Sequence, residues 1–264
     1  MKRRRFLQLA ASAAAGAALH TPARASLHPH QEIFIAIRDR LAGPDDPIRV
    51  RSGERVRFHF LHAGDPEDVH LHLPGHRFTV VALDGYPVPT PAAVDVLSLT
   101  KGERIEALVE MSSPGNWILG ALDDAARRRG PGVCIAYANG LGPAQWHPPA
   151  AVDWSYSRFS APAFAVPAPS QIIEMLLEKK PGTEDGAIHW VIDGLSYPSI
   201  DHLSFPSGRR YRLRLMNATG QAHPVCLSRH PLELKRVNQI PVSGIIKDTV
   251  RLERYNVLEA DLAI

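Results

Sequence analysis

His223-Pro224-Val225-Cys226-Leu227-Ser228-Arg229-His230 places two histidines and a cysteine within eight residues. Imidazole nitrogen and thiolate sulfur are borderline and soft donors, the kind that suit copper. The stretch runs on through Pro231-Leu232-Glu233-Leu234, whose apolar alternation reads as a β-strand. A second cluster, His70-Leu71-His72 with His76, puts His70 and His72 on one strand face at a spacing able to chelate a metal. Its alternative is a packing or solvated role for all three. His28-Pro29-His30, just after the cleavage site, could bind stray metal at a free N-terminus; its alternative is a flexible tail. No Ser/His/Asp order, glycine-rich phosphate loop or paired-carboxylate pattern stands out, so hydrolase and nucleotide-binding readings have no support.

The elements that must position these residues read as β throughout. With 23 prolines, 19 glycines and only 7% aromatic residues, the chain favours many turns and short strands. Its 264 residues have room for two domains, each with a core. Arg55-Val56-Arg57-Phe58-His59-Phe60 alternates with period two, and Phe78 to Leu83, Val94 to Leu99, Ile105 to Glu110 and Val133 to Tyr137 follow as further strands. The same order returns about 155 residues later. Ser207-Gly208 matches Ser52-Gly53, His230-Pro231-Leu232 falls against His76-Arg77-Phe78, and Lys247-Asp248-Thr249-Val250 falls against Val94-Asp95-Val96-Leu97. The first copy runs on some 30 residues past Met111, whereas the second stops at Ile264. The expectation is a second domain lacking its final strands, with an open sheet edge for an oligomer or another partner to cover. Ser170 to Leu177 reads equally as a short helix or as the first strand of the second copy.

Residues 1–25 read as an address. Arg3-Arg4-Arg5-Phe6-Leu7 is a twin-arginine pattern, Ala10 to Leu19 is apolar, and Ala23-Arg24-Ala25 supplies a small-residue cleavage site. The twin-arginine export machinery is the partner this implies, and the periplasm the destination. No segment approaches the ~20 apolar residues of a membrane span. Five positive charges lie in this leader without an acid, so the rest of the chain is weakly negative and nucleic acid is excluded as a partner. Cys134 and Cys226 are the only cysteines. An oxidising compartment would let them pair, and their spacing does not decide whether they do.

Leu73-Pro74-Gly75-His76-Arg77-Phe78-Thr79-Val80-Val81-Ala82-Leu83-Asp84-Gly85, Trp190-Val191-Ile192-Asp193-Gly194, and His223-Pro224 through Leu234 followed by Lys247-Asp248-Thr249-Val250 together resemble the multicopper oxidase (laccase-like) family. The first motif is similar to that family's middle domain, the others to its last. The resemblance implies an all-β protein of two cupredoxin-like Greek-key β-sandwich domains, residues 31–140 and 170–264, joined by a Pro/Ala-rich linker at 141–169. It also implies copper as cofactor and oxidation of substrates with dioxygen as acceptor. In the family the last domain carries H-P-x-H-x-H, its histidines binding the type 1, type 2 and type 3 coppers in that order. His223 stands at the type 1 position, Cys226 replaces the type 2 histidine, and Ser228 the type 3 histidine. A serine hydroxyl is a poor copper ligand. The family's H-C-H motif and its H-W-H and H-x-H pairs have no counterparts, and its middle domain binds no copper. The expectation is therefore a degenerate oxidase. The alternative is a non-enzymatic periplasmic scaffold or a weak copper-binding protein.

Overall fold

The computed structural model describes residues 31–38, 41–42, 47–64, 68–130, 132–162, 168–181, 188–195, 205–227 and 230–263. The leader at 1–25, His28, His30 and Ser228 lie outside the described residues.

The first unit contains β1 (Gln31–Ile37), β2 (Leu41–Ala42), β3 (Ile48–Val50), β4 (Arg55–His62), β5 (Val69–His72) and β6 (Phe78–Leu83). It continues with β7 (Tyr86–Val94), β8 (Val96–Leu99), β9 (Arg104–Glu110), β10 (Asn116–Ala121) and β11 (Val133–Tyr137). These form two sheets, ordered β2-β1-β4-β9-β6-β7 and β3-β11-β10-β5-β8. In β4 the alternating residues Val56, Phe58 and Phe60 are buried and the polar ones are not, as the period-two pattern requires. The inward rows of both sheets, Phe58, Phe60, Leu71, Phe78 and Val109 among them, make one apolar core.

The second unit contains β12 (Gln171–Pro181), β13 (Ile188–Ile192), β14 (Arg210–Asn217), β15 (His223–Cys226) and β16 (Leu232–Val237). It continues with β17 (Ile240–Pro241), β18 (Ile246–Lys247), β19 (Thr249–Leu252) and β20 (Val257–Ala263). One sheet runs β13-β12-β14-β20-β16-β17 with β18 also on β16, and β15 pairs β19 in a separate ladder. Ser170–Leu177 is no helix. It enters β12, where Ile172 to Leu177 pair in parallel with Arg212 to Asn217 of β14. The β-branched pair at 172–173 and a full ladder of partners override the local helical spacing.

The pairing repeats between the units. The parallel pair β1/β4 corresponds to β12/β14. The irregularity between Val80 and Ala82 in β6 corresponds to that between Leu234 and Arg236 in β16. The expected strand Val94–Leu99 is cut at Asp95: β7 belongs to one sheet and β8 to the other. Asp248 cuts β18 from β19 in the same way. Among the described residues β15 has no neighbour on the side where β5 meets β10.

The 141–169 stretch is apolar enough in places to pack. Ser155 caps a single 3₁₀ turn, Tyr156–Phe159, and both of those aromatic side chains are buried. Tyr156 donates a hydrogen bond to Glu103, which also receives the Thr100 N–H at 2.7 Å. Lys247 of the second unit enters the same place, 3.0 Å from Asp84 and 3.1 Å from Glu103. Asp84, at φ 53° in the turn between β6 and β7, accepts from the backbone N–H groups of Arg104, Asp248 and Thr249. The Leu83-Asp84-Gly85 and Lys247-Asp248-Thr249 motifs, 164 residues apart in the chain, thus join the two units. A cavity of about 230 Å³ opens beside this junction, lined by His70, Ser98, Trp154, Tyr156 and Arg251. No described helix is long and apolar enough to cross a membrane.

Candidate metal centre

His223 opens β15, which pairs antiparallel with β19: His223 lies opposite Leu252 and Cys226 opposite Thr249. Along this strand His223 and Val225 are half-buried while Pro224 and Cys226 are exposed. Alternation puts residues three apart on opposite faces, so the His223 ring and the Cys226 thiol do not converge.

The His223 ring is already engaged. Its Nε2 lies 3.0 Å from Thr219 Oγ1, which is 2.7 Å from Asn217 Oδ1 and 3.1 Å from the Gln221 carbonyl. The Asn217 amide in turn donates to the carbonyls of Gln221 and Glu253. The Trp190 ring meets the imidazole edge-on with centroids 4.4 Å apart, and Lys179 Nζ lies 4.2 Å over that indole. Burial, helped by the Lys179 charge, lowers the His223 pKa. A neutral imidazole tied into a turn is the outcome.

Cys134 is half-buried in β11, burial pushing its thiol pKa up, and Cys226 is exposed. Both are free thiols, so the two cysteines do not pair.

His70, His72 and His76 also fail to form one site. His70 and His72 share a strand face, but His70 Nδ1 lies 2.7 Å from Ser98 Oγ while His72 Nδ1 donates to the Asp95 carbonyl at 2.8 Å. His76 donates from Nδ1 to the Pro74 carbonyl at 2.8 Å and accepts at Nε2 from the Tyr137 hydroxyl at 2.6 Å. The Tyr137 oxygen receives the Ser113 N–H. His76 therefore staples the turn after β5 to β11, a structural role. Burial is the main cause of a lowered pKa in all three.

Among the described residues no group of three or more His, Cys, Asp or Glu is placed to hold a metal ion. Copper does not fit the His223 strand as folded, because one imidazole is bonded to Thr219 and the nearest sulfur points away. No copper step can be derived there. Sequence reading missed Glu103, Tyr156 and His147. The signal for the last two was aromatic and imidazole residues, Trp146-His147 and Trp154-Ser155-Tyr156, inside a stretch otherwise built of Pro, Ala and Gly.

Two antiparallel-rich sandwiches with one repeated strand order define a cupredoxin-type architecture. The family model of multicopper oxidases matches residues 14–136. Multicopper oxidase MmcO of Mycobacterium tuberculosis is 26% identical over 223 residues, covering 82% of this chain and 42% of that protein. Laccase-3 of Thanatephorus cucumeris is 29% identical over 104 residues, 39% of this chain and 18% of that one. Among solved structures, a multicopper oxidase from Campylobacter jejuni described as a metallo-oxidase aligns with TM-score 0.62 and 15% identity over 89% of this chain and 58% of its own. Fet3p, a multicopper oxidase that functions in iron import, aligns with TM-score 0.66 and 10% identity over 88% and 60%. At those identities the structural likeness speaks for the fold alone. The chain is similar to multicopper oxidases, and it spans less than half the length of the curated relatives it matches.

Proposed function

We propose that this chain is an exported cupredoxin protein of multicopper oxidase type whose His223 strand has lost copper assembly, so that the chain by itself does not oxidise substrates with dioxygen. The observation that supports this reading is local to β15. The type 1 position, His223, is bonded to Thr219, and Cys226 at the type 2 position faces the opposite side of the strand. Neither cysteine of the chain is flanked by histidines. The twin-arginine pattern supports export to the periplasm. The test is oxygen uptake by the purified, copper-treated chain with a phenolic substrate. No substrate-dependent uptake above that of free copper is expected, and sustained uptake that His223→Ala abolishes would overturn the reading.

A non-enzymatic scaffold is the second reading, favoured by the side of β15 that has no strand neighbour among the described residues. An unpaired strand edge offers backbone N–H and C=O groups to another chain. Light scattering should then detect association that Cys226→Pro weakens, since alternation turns the Cys226 N–H, like the nitrogen of Pro224, away from β19. A chain that stays monomeric at all concentrations and binds no other chain would count against the scaffold.

A further inference from the structure

His72 ends β5 and is only 4% exposed. Donation from Nδ1–H to the Asp95 carbonyl fixes the tautomer and leaves the lone pair on Nε2. That nitrogen is buried and has no hydrogen-bond partner. A buried acceptor left unpaired loses its hydration without replacement, so a group held in this state calls for a ligand.

The segment following β11 determines what faces it. Gln145 bridges Trp117 in parallel, the Ile118 N–H donating to the Gln145 carbonyl at 2.9 Å and the Gln145 N–H to the Asn116 carbonyl at 2.8 Å. Farther along β10, Gly120 pairs with His72. The returning segment therefore brings His147, two residues past Gln145, to the end of β5. The His72 and His147 ring centroids are 6.3 Å apart with planes inclined at 61°. The Trp117 ring sets His147 from the side, centroids 5.8 Å apart at 88°. His147 is exposed, and its Nδ1 lies 3.4 Å from the Pro148 carbonyl.

Two imidazoles bound to one ion at about 2 Å from each nitrogen, on opposite sides, have ring centres roughly 6 Å apart. A tetrahedral pair would bring them about 1 Å closer. The observed spacing thus fits a near-linear, two-nitrogen site. Zn²⁺ asks for four donors and Ca²⁺ or Mg²⁺ for oxygens, and no third or fourth side chain is placed to supply them among the described residues. A monovalent d¹⁰ ion needs only the two neutral donors. We propose that His72 and His147 bind one Cu(I) ion on the first unit, away from the His223 strand.

The experiment is an anaerobic titration of the full chain, carrying Cys226→Ser to remove the exposed thiol, with Cu(I) against a chromogenic Cu(I) chelator. One Cu(I) per chain is expected, with an X-ray absorption spectrum of two nitrogen scatterers at about 2 Å and no sulfur. His147→Ala, at an exposed position, should weaken binding at least about tenfold. His223→Ala should leave it unchanged, which separates this site from the reading of β15. Unchanged affinity in His147→Ala would overturn the proposal. So would sulfur in the spectrum, or Zn²⁺ competing on equal terms.

Discussion

Lys247→Met is expected to lower stability by about 3–5 kcal/mol, the usual cost of leaving a buried charge without its partner. Lys247 has 0% side-chain exposure and lies within 3.0 Å of Asp84 and 3.1 Å of Glu103, themselves 0% and 2% exposed. The two acids are not equivalent. Asp84 keeps three backbone N–H donors without the lysine. Glu103 keeps only the Thr100 N–H and the Tyr156 hydroxyl, and burial already raises its pKa, with Lys247 and Tyr156 opposing the rise. In the variant Glu103 takes up a proton rather than stay charged. Adding Glu103→Gln should therefore recover part of the loss, because a neutral amide spares the cost of protonating the buried carboxylate. Since the lysine comes from the second unit, the acids from the first and Tyr156 from the connecting segment, urea unfolding of Lys247→Met should also separate into two transitions. A loss below about 1 kcal/mol with one transition would contradict this picture of the junction.

Asp261→Ala is expected to destabilise the second unit alone, by about 2–4 kcal/mol. Asp261 sits on β20 in the row opposite Arg212 and Glu233, yet its side chain is 0% exposed. Arg212 grips it at 2.7 and 3.2 Å and Arg210 reaches it at 3.2 Å. Hydrogen bonding to Asp261 is the leading cause of the raised Arg212 pKa, and Arg210 is raised chiefly by Glu233. Removing the acid strands Arg212, whereas Arg210 keeps Glu233 at 2.6 Å. Hydrogen exchange should speed up in β14, β20 and β16 while β4, β6 and β9 stay protected. Equal loss in both units would contradict it.

Much of this fold was legible in the chain because its signals are local. Period-two alternation in Arg55 to Phe60 and the turn residues Asp84-Gly85 and Asp193-Gly194 mark strands and corners, and both Asp-Gly pairs adopt the positive φ those tight turns need. The repeat placed Lys247-Asp248-Thr249-Val250 against Val94-Asp95-Val96-Leu97, and the aspartate proves to be the point at which each strand changes sheet. The ambiguity at Ser170–Leu177 needed the β14 ladder to resolve, because only long-range pairing distinguishes a short apolar strand from a helical turn.

The candidate site was less legible. Two histidines and a cysteine in eight residues look dense on paper, but the strand period sends His223 and Cys226 apart, and a parity check on the numbers alone would have shown it. The partner of His72 was sought in its neighbour His70, whereas the structure supplies His147 from a segment 75 residues later. Such a contact depends on how Gln145 returns along β10, which no spacing rule encodes. Lys247 likewise reads as an ordinary surface cation until two acids from another unit close over it.

If β15 does not assemble copper, the full chain incubated with Cu(II) and freed of loose metal will show no intense blue absorption and no type 1 electron paramagnetic resonance signal. His223→Ala will give the same spectra. A blue band with a type 1 signal that His223→Ala removes would contradict that reading of β15.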